Sequence, residues 1–475
     1  MEFKLPNDIE VVCRELGELF SRKNERLYLV GGALRDVILG VGTNDLDFTT
    51  SAPPAAIRRL VGPVSEHLYD KSRAKGYGTQ GVKLKSGVEV EITPFRRCAI
   101  PEAGEPCDSP DVVSGITLDE DLRSRDFTVN AMAMDAGPSG FGSIVDPCGG
   151  RADLEAGMLR TPGDPLRTFE DDPLRVLRAA RFISQFGFEP AAGLAEAVRH
   201  VVAETGWLER VAMERVRLEI EKMLMAAEPS RGFRLMRGWG LMGFWLPELE
   251  RLMDMEPEAG LSHKNLLEHT MLVLDRAAET GPSSIEFRLA ALLHDVGKTD
   301  ARENSGEGYT FRDHDRIGGA IAEEICRRLK FSNDAVSHVA DLVRKHHRLS
   351  AYEPEWTDSA VRRALNDLGS RYAEILALSR ADITTSFPGK REKRMRMLDH
   401  FLGRVGKLEL DQVLNPKPPI NGREIMELLG TTPGREVGRA IDYLKKKVID
   451  GELEPDDAET ARRMVVERQW VGDDS

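Results

Sequence analysis

Apolar positions recur with two different periods along this chain, and the change of period separates a strand-bearing front from a helical remainder. Arg26-Leu-Tyr-Leu-Val30 is a short apolar run of buried-strand type. Gly31 and Gly32 then turn the chain into a helical run from Ala33 to Leu39. Asn44-Asp-Leu-Asp-Phe-Thr49 alternates, which predicts a strand with Asp45 and Asp47 on one face and Leu46 and Phe48 on the other. The stretch from Gly81 to Thr93 alternates again and predicts a hairpin turning at Ser86-Gly87, with Glu89 and Glu91 on one side. Between Phe95 and Thr117, Pro101, Pro106 and Pro110 interrupt a segment without apolar periodicity, which predicts a loop. Further on the period becomes helical. Asp172 and Pro173 predict an N-cap and first turn for a helix carrying Arg175, Arg178 and Arg181 along one broad face. Leu266, Leu267, Met271 and Leu274 form an amphipathic run around His269, and Leu289-Ala-Ala-Leu-Leu293 is an apolar helix closed by His294-Asp295. Ile425–Leu429 and Val437–Val448 flank Thr432-Pro-Gly434 as a helical hairpin. The expected class is α+β: a head over 1–147, a mixed sheet with helices on one face, and all-α regions over 148–207, 208–256, 257–388 and 389–475.

Backbone N–H groups at the strand-to-helix turn of Gly31 and Gly32 point outward and can cradle phosphates. Two carboxylates on one sheet face repel unless a cation lies between them, and a pair of Mg²⁺ ions is the usual answer in phosphoryl transfer. The plain alternative is a solvated strand face. Glu91 is the third carboxylate of choice, with Glu89 a surface residue. Further down, a histidine and aspartate in an apolar helix are costly to bury unless paired or metal-bound. Histidine with carboxylate is a normal set for a first-row divalent metal.

The arginine helix carries a separate argument. Cytosine and adenine both present an exocyclic amine beside a ring-nitrogen acceptor; uracil and guanine present the reverse. A carboxylate next to a guanidinium matches the first pair and clashes with the second. Asp172 and Arg175 can therefore accept CTP and ATP and refuse UTP and GTP without a template, because the wrong base leaves buried polar groups unpaired. The competing reading makes Asp172 a helix cap and the arginines a solvated or RNA-facing stripe.

Several ordered motifs now coincide. They are the Gly-Gly turn with Arg35 and Asp45-x-Asp47, Tyr77-Gly-Thr79, Glu91-x-x-x-Phe-Arg96, Arg125-Asp-Phe-Thr-Val-Asn-Ala131, Asp146-Pro-x-Gly-Gly150, Asp171-Asp-Pro-x-Arg175, and a tail beginning near Ile420-Asn-Gly422. Over nearly its whole length the chain resembles the class II tRNA nucleotidyltransferases, the CCA-adding enzymes of the polymerase β-like superfamily. The resemblance implies a catalytic site at Asp45, Asp47 and Glu91 with two Mg²⁺. It implies nucleotide binding by Gly31, Gly32, Arg35, Arg125, Asp126, Asn130, Asp172, Arg175, Arg178 and Arg181. Ser124 stands where the family has a further arginine, which turns attention to Arg123; Asp171 stands where it usually has glutamate. The region over 257–388 resembles an HD phosphohydrolase domain. There His269, His294, Asp295 and Asp382 match the ligand series for a divalent metal of unspecified identity. His314 and one of His346 or His347 would add a second-metal or substrate role, on a cyclic phosphate or phosphomonoester at a damaged RNA end.

Charge at first argues against an RNA partner, since the net charge is −13. Phosphate affinity follows local charge, however. From Lys390 to Lys407 seven Lys/Arg face two acids, and from Arg435 to Lys447 five face two. Lys390, Arg391, Lys393, Arg394, Lys445 and Lys446 are the tRNA-binding candidates of that tail, reading shape and backbone rather than sequence. Each run alone is as readily a solvated face. The 475 residues suffice for three or more domains. Five cysteines without Cys-x-x-Cys spacing, no membrane-length apolar run and no signal-peptide core point to a cytoplasmic protein with reduced thiols and no membrane partner. Homodimerisation is left open. The expected activity is template-independent addition of C and A to the tRNA 3′ end. The alternatives are an A-adding specialist, a bacterial poly(A) polymerase, and a metal phosphohydrolase whose head has become a binding module.

Overall fold

The computed structural model describes residues 5–42, 45–70, 78–96, 115–252, 266–304, 309–385, 387–468 and 470. The chain forms two compact units, Met1–Trp245 and Leu246–Ser475. Tyr77, Cys98, Cys107 and the proline-bearing loop read from the sequence lie outside the described residues.

The first unit opens with a seven-stranded sheet: β1 (Leu27–Val30), β2 (Leu46–Thr50), β3 (Ser65–Asp70), β4 (Gln80–Leu84), β5 (Glu89–Pro94), β6 (Ala133–Asp135) and β7 (Ile144–Val145). Their order is β3-β4-β5-β2-β1-β6-β7; β2 and β5 are parallel and the other neighbours antiparallel. Register and pleat sort the side chains into two faces. Leu29, Leu46, Phe48, Val82, Val90, Ile92 and Met134 share one face and are all buried. At about 1.5–3 kcal/mol for each fully buried side chain of this size, that face supplies most of the drive for the sheet. Helices Asn7–Ser21 and Pro54–Val61 pack against its strands. Asp47, Thr49, Glu91 and Thr93 share the opposite face.

Helices are not confined to one face, as the sequence reading had it. Helix Leu118–Arg123 starts with a reciprocal capping box of Thr117 and Glu120. Its Leu118 and Leu122, one turn apart, cover Tyr28, Val30 and Ala133 on the polar side of the sheet. Two boundaries also move. β2 begins at Leu46, so Asp45 stands just before the strand. The arginine helix is Arg175–Phe186, starting two residues beyond the expected Pro173, because Pro173 and Leu174 form a tight turn in which Leu174 N–H donates to Asp172 Oδ1 at 3.2 Å. Asp172 thus caps that turn rather than the helix. Helices Met213–Leu224 and Pro229–Gly238 pack on Arg175–Phe186.

The second unit is helical apart from a small hairpin, Arg302–Asn304 with Tyr309–Phe311. Helix Ile285–Leu293 is buried from Phe287 onward and capped by the Ser284 side chain. Helix His314–Arg328 approaches it through Gly297: a Cβ there would meet the His314 carbonyl oxygen at 2.2 Å and Gly318 N at 2.4 Å. Only glycine permits that approach, which carries His314 toward Asp295. The tail forms its own core from Ile420, Ile425, Ala440, Leu444, Ala461 and Val465. Its expected hairpin is present as helices Gly422–Leu429 and Arg435–Ile449. Among the described residues no helix is long and apolar enough to cross a membrane.

Candidate active site and metal centre

Parallel pairing of β2 with β5 places Asp47 directly beside Glu91. Asp45, at the strand's mouth, completes a trio in which one carboxylate oxygen from each residue lies within 4.8 Å of the other two. Hard oxygen donors at this spacing fit Mg²⁺. Gly31 sits against the trio with φ +68°; a Cβ there would lie 3.4 Å from Arg125 Nη1 and 3.6 Å from Asp47 Oδ2. The glycine therefore keeps open a space that an arginine and a carboxylate face together. Arg125 is aimed by Asp121, a buried carboxylate 3.0 Å from its Nη2. Glu89 is exposed, opposite Lys83 in the sheet register, and accepts from the Tyr69 hydroxyl at 3.4 Å, as a surface residue should.

Behind this opening runs a chain of charged groups that the sequence showed only in part. Arg35 is buried; its Nη1 donates to Asn130 Oδ1 at 2.7 Å, its Nε to Asp36 at 2.8 Å, and its guanidinium lies over Phe186. Asn130 Nδ2 donates to Asp126 Oδ1 at 3.1 Å, and Asp126 Oδ2 accepts from Arg178 Nε at 2.9 Å. Arg178 Nη1 and Arg181 Nε both donate to Glu219, the former at 3.2 Å. Burial would push the Asp126 carboxyl up, but Arg178 and then Arg175 hold it well below the usual carboxylate range. Glu219 is likewise lowered against its burial by Arg181 and Arg178. Asp121 and Glu219 were missed in the sequence. The signal was present for Glu219, an acid in the buried stripe with Val216, Ile220 and Met223.

Asp172 and Arg175 lie on this neck region, each with neighbours of its own. Arg215 Nη2 donates to Asp172 Oδ2 at 2.7 Å. Arg175, buried, donates to the carbonyls of Ser124 at 2.9 Å and Thr168 at 3.2 Å. Ser124 closes its own helix, its hydroxyl donating to Asp121 O at 2.8 Å. Arg123 is exposed and held by Asp119 at 2.8 Å.

In the second unit five of the metal candidates stand at helix ends or junctions: His294 and Asp295 after Ile285–Leu293, His314 opening His314–Arg328, His346 after Asn333–Lys345, and Asp382 ending Tyr372–Asp382. His269 comes from the first turn of Leu266–Thr280. Three imidazoles share one device. Nδ1 of His294, His314 and His346 lies 2.9, 2.9 and 2.7 Å from the carbonyl three residues earlier. An N–H on Nδ1 leaves Nε2 with a free lone pair, the tautomer a metal ligand needs. The Nε2 atoms converge accordingly. His269 Nε2 is 3.2 Å from His294 Nε2, 3.0 Å from Asp382 Oδ1 and 3.3 Å from Asp295 Oδ2. On the other side His314 and His346 Nε2 are 3.4 Å apart and each 3.9 Å from Asp295 Oδ1. Two ligand groups result, His269/His294/Asp382 and Asp295/His314/His346, with the two oxygens of Asp295 facing one group each. Borderline nitrogen and oxygen donors in such sets fit a first-row divalent ion. Burial would pull the His294 imidazole down, but Asp295 and Asp382 outweigh it and raise it, so a metal ion taken up at Nε2 would displace a proton. Lys298 Nζ lies 2.7 Å from Asp295 Oδ2. His347 stays outside both groups, exposed, its Nδ1 3.3 Å from Ser350 Oγ.

A cavity of about 450 Å³ opens beside this centre, lined on the metal side by His269, His346 and Asp382. One of its walls belongs to helix Pro388–Val405, with Arg394, Met397 and Leu398. Arg394 is exposed like Lys390, Arg391, Lys393 and Lys446, but it also borders this cavity; Lys445 is half-buried.

The chain is similar to known proteins in both sequence and fold. The poly A polymerase head domain matches residues 27–160, the probable RNA- and SrmB-binding site of polymerase A matches 187–253, and the HD domain matches 266–384. The chain is 32% identical over 435 residues to the A-adding tRNA nucleotidyltransferase of Deinococcus radiodurans, covering 90% of this chain and 92% of that one. It is 34% identical over 337 residues to the multifunctional CCA protein of Nitrosomonas europaea, covering 68% and 73%. The crystal structure of the Bacillus stearothermophilus CCA-adding enzyme in complex with CTP superposes with a TM-score of 0.69 at 25% identity over 98% of both chains. The Thermotoga maritima CCA-adding enzyme complexed with tRNA shares the fold, with a TM-score of 0.59 at 21% identity over 97% of this chain and 96% of that one. With its carboxylate-bearing polymerase β-like head, its helical RNA-binding region and its HD domain, the chain belongs to the tRNA nucleotidyltransferases, the family of CCA-adding enzymes.

Proposed function

We propose that this enzyme adds C and A to the 3′ end of tRNA from CTP and ATP, by a two-metal mechanism centred on Asp45, Asp47 and Glu91. The observation that carries the reading is the convergence of that trio with Gly31 and the Asp121-held Arg125. Two Mg²⁺ held by the trio would supply an activated 3′-hydroxyl and neutralise charge on the leaving group. The tRNA 3′-oxygen attacks the α-phosphorus, the bond to the β-phosphate oxygen breaks, and pyrophosphate leaves. Arg125 donates to triphosphate oxygens over Gly31, where the absent side chain gives them room. The network from Arg35 through Asn130 and Asp126 to Arg178 fixes the loop that presents Arg125. Asp172 and Arg175 offer a carboxylate and a guanidinium to the base edge, with Arg215 orienting the Asp172 carboxylate. In the tail, Lys390, Arg391, Lys393 and the helix carrying Lys445 and Lys446 meet tRNA phosphates.

The test of base reading is selectivity. Asp172→Ala should lower CTP and ATP incorporation while UTP and GTP incorporation holds or rises, eroding discrimination by about 100-fold or more. An unchanged UTP:CTP ratio in single-nucleotide extension assays would remove Asp172 from that role. A second reading, addition of A alone, is favoured by the likeness to the D. radiodurans A-adding enzyme across nine-tenths of the chain.

The HD ligands form a second centre that hydrolyses a phosphate ester. Asp295 faces both ligand groups, so Asp295→Asn should empty the centre while leaving nucleotide addition intact. Metal analysis of the purified variant, beside phosphate release, checks this; wild-type metal content would count against the bridging position.

A further inference from the structure

The cavity beside the HD centre is larger than a phosphate needs, and its chemistry is divided. One end carries the metal ligands with Lys298. The walls are largely apolar, with Leu266, Leu349, Tyr352, Met397 and Leu398. Arg394, an exposed residue of helix Pro388–Val405, stands at the cavity's edge, and its Nη1 donates to the Ser350 carbonyl at 2.5 Å. Tyr352 is buried and its hydroxyl is 2.7 Å from His400 Nδ1, which ties the same helix to the cavity floor. A guanidinium held at a cavity wall by one of its amino groups keeps its other donors for an anion. About 450 Å³ of mostly apolar space is enough for a sugar and a base.

From this arrangement we propose that the cavity takes one nucleoside flanked by two anionic groups: the scissile phosphate at the metal ligands and a 5′-phosphate at Arg394. The proposal rests on the reading of the HD centre as a phosphohydrolase. It specifies the substrate as the terminal nucleotide of a strand, with its preceding phosphodiester engaged, in preference to an isolated nucleoside phosphate. Hydrolysis itself is a water attack on the terminal phosphorus: a monophosphate yields the nucleoside hydroxyl and phosphate, and a cyclic phosphate loses one of its two ester bonds to give a monophosphate with one free hydroxyl. Arg394 takes no part in bond-breaking and acts on binding. Uridine compounds are the suitable probes, because the head is proposed to refuse uracil.

The experiment uses full-length protein supplied with Mn²⁺. Hydrolysis of uridine 3′-monophosphate and uridine 2′,3′-cyclic phosphate is compared with that of the same compounds carrying a 5′-phosphate. Calorimetry measures binding of uridine 5′-monophosphate against uridine, independently of turnover. The 5′-phosphate should lower KM and Kd about tenfold, the scale of one charge-assisted contact. Arg394→Met should abolish that advantage while leaving kcat for the compounds without it unchanged, and Arg394→Lys should restore part of it. If wild type hydrolyses the compounds with no preference, or the preference survives in Arg394→Met, the Arg394 subsite is overturned and the HD reading stands. If wild type neither hydrolyses nor binds any of them, the HD reading falls and takes the subsite with it.

Discussion

Asp47→Ala protein is expected to fold normally and to lose nucleotide addition by roughly a thousandfold or more, the scale on which single electrostatic elements of phosphoryl-transfer sites act. Asp47 lies at the centre of the carboxylate trio, beside Glu91 in the sheet register and within reach of the space over Gly31. Its removal leaves two carboxylates in place of three, too few to hold the same ions. The fold should tolerate the change, because the face that drives the sheet is the opposite one, with Leu46 and Phe48. Circular dichroism and thermal melting close to wild type, with extension of tRNA reduced to background, is the expected result. Folded and active Asp47→Ala protein would overturn the assignment.

Much of this site could be read in the sequence because strand alternation is a strict rule: once Asp47 and Glu91 were placed on strands, their faces followed. Which strand lies next to which is not a local property. The parallel pairing that makes Asp47 and Glu91 neighbours joins segments more than forty residues apart. The HD ligands were legible by type and not by grouping. Neither the sharing of Asp295 between two groups nor the choice of His346 over His347 follows from spacing; both depend on helices brought together at Gly297. Arg394 was misleading for a related reason. It sits in a basic run and is exposed like its neighbours, but it also borders a cavity that they do not.

The second large effect is on stability. Glu219 accepts from both Arg178 and Arg181, and the Glu219 and Arg181 side chains are only 5% and 7% exposed. Glu219→Ala leaves the buried Arg181 guanidinium without its carboxylate and Arg178 with Asp126 alone, a change that costs about 3–5 kcal/mol when a buried pair loses one partner. Urea denaturation at pH 7 should register a loss of that order, with weakened nucleotide addition because Arg178 also steadies Asp126. A loss under 1 kcal/mol would mean that the arginines find other partners. Acid should blunt the difference. The folded carboxyls of Asp126 and Glu219 lie below their unfolded values, so their stabilisation is complete above the unfolded carboxyl pKa of about 4. It is lost as pH falls through that value toward the folded ones. Wild type and Glu219→Ala should therefore converge in stability as pH falls below about 4 and keep their full difference above it.

The central claim is that one head, with one pair of base-reading groups, adds both C and A. Purified protein with Mg²⁺ would be given two tRNA transcripts, one ending at the discriminator base and one ending in CC, with CTP and ATP singly and together and products resolved to one nucleotide. The account predicts completion of CCA on the first transcript, a single A on the second, and refusal of UTP and GTP. Extension of the CC-ending transcript alone, by one A, would contradict it and establish an A-adding specialist.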